Sequence, residues 1–223
     1  DQTRVGVAIV NASSGTVSLR DLQQSELAAY LARKAPAEIV HAARRRFRTH
    51  NAGRKLVEQL FWEALAESSR AGDSAEVVKE RLRGELAVRE AFERMWPVLT
   101  PAELLNDLYG SAGLLELAAH RFLEPNEWKL LSRAREPVAA EVVFTHHDVP
   151  VLDEALELLG PRPRHRDDDV VRTYGHIVVD EAQDLSPMQL RVLDRRSLSG
   201  SMTIVGDIAQ ATGQWAHADW DEI

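Results

Sequence analysis

Two short apolar runs, "HIVVD" from His176 to Asp180 and "MTIVGD" from Met202 to Asp207, flank one helix-forming segment, "SPMQLRVLDRRSLSG". No other feature constrains the fold as tightly. Runs that are apolar without alternation suit strands of a parallel sheet covered on both faces. Strands joined through a helix pair in parallel with a right-handed crossover, so their C-terminal ends share one edge. Ser186, Pro187 and Gln189 form a good helix start, with Asp184 as an alternative cap. Ligands of open α/β sheets bind beyond the shared strand edge. The residues expected there are Asp180, Glu181, Gly206 and Asp207.

These residue types point to phosphate chemistry. Hydrolysis of ATP needs a carboxylate for Mg²⁺, a hard cation that takes one or two carboxylates plus phosphate oxygens and water. Asp180, at the strand end, supplies that charge. A second carboxylate must orient or deprotonate the attacking water, and Glu181 is adjacent. Neighbours on an extended strand point to opposite faces. The chain must therefore turn at once for both to serve one site. A bare Asp-Glu pair would only decorate a helix approach, but the full string Asp180-Glu-Ala-Gln-Asp184 is far more specific. In "GDIAQATGQW", Gly206 lets the backbone approach a ligand, and Gln210 is a neutral donor and acceptor suited to a terminal phosphate. Such a site normally includes a phosphate loop, G-x-x-x-x-G-K-[ST]. The chain has none; "AGRKLVEQL", Ala52 to Leu60, lacks both the spacing and the Ser/Thr.

Elsewhere the chain reads as helical. A hairpin is expected over residues 1–20 around "NASSG", then a helix capped at Asp21. Helices follow in "PAEIVHAARRRFR" and "RKLVEQLFWEALAESS". "AEVVKERLRGELAVREAFERMW" reads as a single helix capped by Asp73 or Ser74, with Val78, Leu82, Leu86 and Met95 near one face. "TPAELLNDLYG" has Thr100 as cap, Pro101 at the first position and Glu103 at the third. "SAGLLELAAHRFL", "PNEWKLLSRA" and "HDVPVLDEALELLG", the last ending at Gly160, complete the series. Leu60, Phe61, Trp62, Phe92 and Trp96 are expected in the core.

Hydrophobic residues at 44% and charged residues at 28% of 223 fit an ordinary globular chain. With no cysteine there are no disulfides and no thiolate metal sites. No apolar run is long enough to span a bilayer and the N-terminus lacks a signal-peptide layout, so a cytoplasmic protein without a membrane partner is expected. The net charge of −8 does not suit a dedicated duplex-DNA binder. Two charge runs stand out, "ARRRFR" with Arg44, Arg45 and Arg46, and the acidic Asp167, Asp168 and Asp169. As isolated runs, both read more readily as solvated faces than as sites.

"IVVDEAQD" and "VGDIAQ" resemble motifs II and III of superfamily 1 helicases of the UvrD and Rep type. The resemblance implies Asp180 as the metal carboxylate, Glu181 as the catalytic base and Gln210 as a phosphate sensor. Gln183, Gly206 and Asp207 would lie on the cofactor side. Gly213 and Ala216 replace the usual Tyr and Arg of motif III, and Trp215 keeps the aromatic position, a departure that argues against strand unwinding. "HNAGR", "ERMWPVLTPAELLNDLYGS", "DVPVLDEALELLG", "YGHIVVDEAQDLSPMQLRVL" and "SGSMTIVGDIAQATGQWA" together resemble the actinobacterial branch of the HelD-type factors, helicase-like ATPases that bind RNA polymerase.

That likeness implies a mixed fold. A mostly α-helical insertion domain with an N-terminal hairpin would cover 1–143. Part of an α/β RecA-like parallel-sheet domain would cover 144–223. The chain would then be a fragment, with its phosphate loop elsewhere. The intact protein would use ATP and Mg²⁺, and this fragment alone would bind neither tightly. The implied activity is opening of the RNA polymerase clamp and release of nucleic acid, with rifamycin tolerance in some relatives. Core RNA polymerase would be the main partner and DNA a weaker one. Asp167, Asp168 and Asp169 would approach the polymerase active centre. Arg44, Arg45 and Arg46 favour the alternative, a UvrD/Rep-like DNA helicase. A stand-alone regulator with a decayed nucleotide site fits least, because Asp180 to Asp184 is intact.

Overall fold

A computed structural model describes residues 35–68, 72–163, 171–212, 215, 217 and 219–220. The expected hairpin, the first helix and Asp167, Asp168 and Asp169 lie outside the described residues. The fold is mixed, mostly helical with a small parallel sheet. The chain forms two compact units. The first is Asp1–Val142 with Ala155–Arg164; the second is Val143–Glu154 with His165–Ile223.

The described part of the first unit opens with helix α1 (Ala35–Arg46), a 3₁₀ turn (Asn51–Gly53) and α2 (Arg54–Ser68). α3 (Ala75–Leu82), α4 (Leu86–Met95), α5 (Pro101–Tyr109), α6 (Ala112–Ala119) and α7 (Pro125–Leu130) follow. Val57, Phe61 and Leu65 recur at four-residue spacing on α2 and are fully buried. They pack with Ile39, Val40 and Ala43 of α1, Val78 of α3 and Val88, Phe92 and Met95 of α4. Phe61 and Phe92 lie 4.5 Å apart, and Trp62 meets Phe92 edge-on at 5.6 Å. Of the expected core residues, Phe61, Trp62, Phe92 and Trp96 are buried, and Leu60 is partly buried against them.

The single helix expected from Ala75 is instead two, α3 and α4, broken at Arg83–Glu85. Glycine in a helix interior costs about 1 kcal/mol relative to alanine, and Gly84 falls at the break. The two helices then bury different faces. Leu86 points outward, 62% exposed, while Val88, Ala91, Phe92 and Met95 turn inward. Ser74 takes the N-cap position of α3 without a side-chain cap bond.

The segment "HNAGR" ties this core together. His50 stacks on Trp96 at 4.5 Å. Its Nε2 lies 2.7 Å from Pro97 O, and a carbonyl only accepts, so Nε2 carries the proton. Asn51 is buried and donates to Leu99 O and Gly160 O, while Leu99 N donates to its Oδ1. Arg54 donates to Trp96 O and pairs with Glu58 and Glu93. The capping box at Thr100 and Glu103 forms as expected. Asn106 pairs with both backbone groups of Glu136.

Helix α8 (Val149–Leu159) supplies residues to both units and ends at Gly160, whose φ of +69° is the left-handed conformation glycine tolerates. In the second unit, β1 (Ile177–Val179), α9 (Pro187–Arg196) and β2 (Met202–Ile204) form the expected parallel crossover, with Ile177 opposite Met202, Val178 opposite Thr203 and Val179 opposite Ile204. Ser186 and Gln189 form a reciprocal capping box. Asp153 and Glu154 of α8 pair with Arg191, Arg195 and Arg196 of α9. The strands are less covered than their apolar runs suggest. Val179 is buried, but Val178 is 69% exposed and Ile204 and Val205 are also open. Among the described residues the sheet has only two strands. Parallel sheets are normally covered by further strands and by helices on both faces.

Candidate functional site

β1 delivers Asp180 and Glu181, and β2 delivers Gly206 and Asp207, at the same end of the parallel pair. Asp180 is exposed, and its Oδ1 accepts from Glu181 N at 3.0 Å. Glu181 is exposed and left-handed, with φ 53° and ψ 41°. That backbone reversal is the immediate turn the sequence demanded. It ends the strand alternation and leads into a 3₁₀ turn, Ala182–Asp184. A left-handed non-glycine residue costs about 1 kcal/mol.

Ala182 and Gln183 turn into the protein, while Asp184 stays exposed. Ala182 is fully buried and donates from its N–H to Val205 O. Gln183 is 1% exposed. Its Nε2 donates to Glu181 Oε2 at 2.7 Å, and its Oε1 accepts from Asp207 N at 3.0 Å. A Cβ at Gly206 would overlap Gln183 Oε1 and approach Ala182 N at 3.1 Å, so the close approach of the two loops requires glycine there. Asp184 accepts from Thr212 N at 3.0 Å, and His217 Nε2 lies 3.0 Å from Leu185 O. With Val205 N donating to Val179 O, these contacts stitch the two loops along their length.

Asp207 is exposed and caps a 3₁₀ turn, Ile208–Gln210, accepting from Ala209 N at 2.9 Å. Its other oxygen accepts from Gln210 Nε2 at 2.9 Å. Glu181 and Gln210 are thus joined through Gln183 and Asp207. The sequence did not reveal Asp184 and Thr212 as partners. Asp184 reads as an alternative cap for α9, yet Ser186 takes that role and Asp184 reaches the other loop. Only the fold brings Thr212 beside it.

Asp180 fits a hard cation as a lone carboxylate. One oxygen is engaged by a backbone N–H, and the group is open to solvent. Among the described residues no cluster of three or more His, Cys, Asp or Glu could hold a metal alone. Mg²⁺ takes few protein ligands when phosphates supply the others, so a single strand-end carboxylate suits it.

Trp215 is 54% exposed; Gly213 and Ala216 lie outside the described residues. Arg44, Arg45 and Arg46 belong to α1 in the first unit, where they follow the buried Ile39, Val40 and Ala43. Arg45 and Arg46 are exposed, as is Arg48 beyond the helix end. Arg44 is partly buried, which lowers its pKa. No described helix is long and apolar enough to cross a membrane.

Residues 151–223 match the family model described as the UvrD/REP helicase N-terminal domain. The matched segment runs from within α8 through both strands and contains Asp180, Glu181, Gln183, Gly206, Asp207 and Gln210. No curated protein matches the chain.

Proposed function

We propose that this chain carries the motif II and III half of an ATP-hydrolysing site of the UvrD/Rep-like superfamily 1 helicase type. The observation that supports it most is the shared strand edge. There Asp180, Glu181, Gly206 and Asp207 meet within a segment similar to that helicase domain. In this reading Asp180 holds Mg²⁺, which neutralises phosphate charge. Glu181 orients the attacking water and accepts its proton. Gln210 reads the terminal phosphate, and Gln183, Gly206 and Asp207 shape the cofactor side. In the full-length protein, Glu181→Gln lowers kcat for ATP by about 100-fold or more with little change in nucleotide affinity. An unchanged kcat rejects the reading.

We further propose that the parent protein is a HelD-type factor that binds core RNA polymerase, opens its clamp and helps release nucleic acid. The segments from "ERMWPVLTPAELLNDLYGS" onward support this by resemblance, and the net charge of −8 suits a basic, nucleic-acid-binding cleft. Residues 1–143 would be the clamp-opening insertion, and Asp167, Asp168 and Asp169 would reach the polymerase active centre. The second reading, a UvrD/Rep-like DNA helicase, is favoured by the family match and by the exposed Arg45, Arg46 and Arg48. Size-exclusion chromatography with core polymerase, single-stranded DNA and duplex DNA as parallel ligands separates the two. Co-elution with polymerase but not DNA is expected. Binding to DNA alone selects the helicase reading, with Arg45 and Arg46 the first residues to substitute.

A further inference from the structure

We infer that Gln183 is a positioning residue. It fixes the Glu181 carboxylate and ties it to the loop that carries Gln210. The catalytic consequence rests on the ATPase reading; the positioning itself rests on geometry alone. Glu181 is the one non-glycine among the described residues with positive φ. Its side chain is exposed, and a flexible exposed carboxylate does not hold one direction unaided. The Gln183 amide supplies the restraint. Its Nε2 donates to Glu181 Oε2 at 2.7 Å.

The amide is itself fixed. Gln183 is buried, and its Oε1 accepts from Asp207 N at 3.0 Å. Rotating the amide by half a turn would set its oxygen against the carboxylate and its NH₂ against the Asp207 N–H. Both contacts would be repulsive, so one orientation is selected. Gly206 makes room for that oxygen. Beyond it, Asp207 caps the following turn and accepts from Gln210 Nε2. A displacement of Glu181 is therefore transmitted through one buried amide to the backbone that sets Gln210. A side chain of another chemistry cannot replace it. Glutamate at 183 offers no donor to Glu181 unless protonated, and methionine fills a similar volume with neither bond.

The test uses the full-length protein with Gln183→Met, Glu181→Gln and the double variant. Two readouts are taken: steady-state ATP hydrolysis, and amide hydrogen exchange at Asp207. Ala182 N, bonded to Val205 O, serves as the folding control. Gln183→Met is expected to lower kcat by about 10-fold or more with KM for ATP within about twofold. It lowers the rate less in the Glu181→Gln background than in the wild type, because the part that acts through Glu181 has no effect once that carboxylate is gone. Asp207 exchange accelerates while Ala182 stays protected. A purely structural role would raise exchange at Ala182 as well and lower the rate additively. Either result overturns the inference, as does Gln183→Met with unchanged kcat or an Asp207 amide as protected as in the wild type. If Glu181→Gln leaves ATP turnover intact, the ATPase reading falls, and the exchange of Asp207 against Ala182 still decides the positioning of Glu181.

Discussion

His50 shows what one side chain does for the helical unit. It is partly buried against Trp96, and burial holds its pKa below the ordinary value near 6.5; the charges of Arg44 and Arg54 push the same way, while the bond to Pro97 O opposes them. The unfolded chain takes up a proton on this ring near 6.5, and the folded chain resists doing so. The group's stability contribution is therefore full above about pH 6.5 and is lost as pH falls below that value. Urea denaturation at stepped pH should show wild type losing stability between about pH 7 and 5 more steeply than His50→Gln, which has no ring to titrate. Equal slopes would mean that His50 does not control this dependence. At the same scale, Asp180 and Glu181 stood out as candidates only within the full string Asp180 to Asp184, because a bare Asp-Glu pair would merely decorate a helix approach. Gln183 was legible only as polar. Its two partners, Glu181 two residues away and Asp207 across the sheet, become visible when the parallel register is known.

At the scale of elements, α8 and α9 are joined by charge. Arg195 forks onto Asp153 and Glu154, at 2.7 and 2.6 Å, and Asp153 retains 9% side-chain exposure. Removing Arg195 takes away one of two cations beside each carboxylate, since Arg196 also meets Asp153 and Arg191 also meets Glu154. Arg195→Ala should destabilise the second unit by about 1–2 kcal/mol in urea denaturation, and Arg195→Lys by less, since its ammonium keeps a charge beside one carboxylate though it cannot span both. Equal losses for the two variants would show that the fork is not the source of stability. Neither partner could be chosen from the sequence, where Asp153 and Glu154 read as the polar face of one helix and Arg195 as the last turn of another. Helix starts were clearer. Thr100 with Glu103 and Ser186 with Gln189 form the boxes their spacing implies, because a cap is satisfied within four residues. The break near Gly84 was hidden because apolar residues continue through it. Strand burial was hidden for the opposite reason: an apolar run records a need for covering, and Val178 and Ile204 remain open in this chain.

Across the whole molecule, the excess of 35 acidic over 27 basic side chains creates a field that no single pair reports. If a basic polymerase cleft is the target, that field speeds encounter and salt weakens it. The association rate with core polymerase should fall by about tenfold between about 0.05 and 0.3 M salt, with a smaller change in dissociation. A rate insensitive to salt would place recognition in short-range contacts instead. Stability is also a property of the whole, and the left-handed Glu181 subtracts from it to place one carboxylate. A breeder of heat-resistant variants, scoring survival alone, would discard Glu181 for glycine or asparagine and count the exchange an improvement. Endurance of heat and placement of that carboxylate therefore pull in opposite directions at this one position.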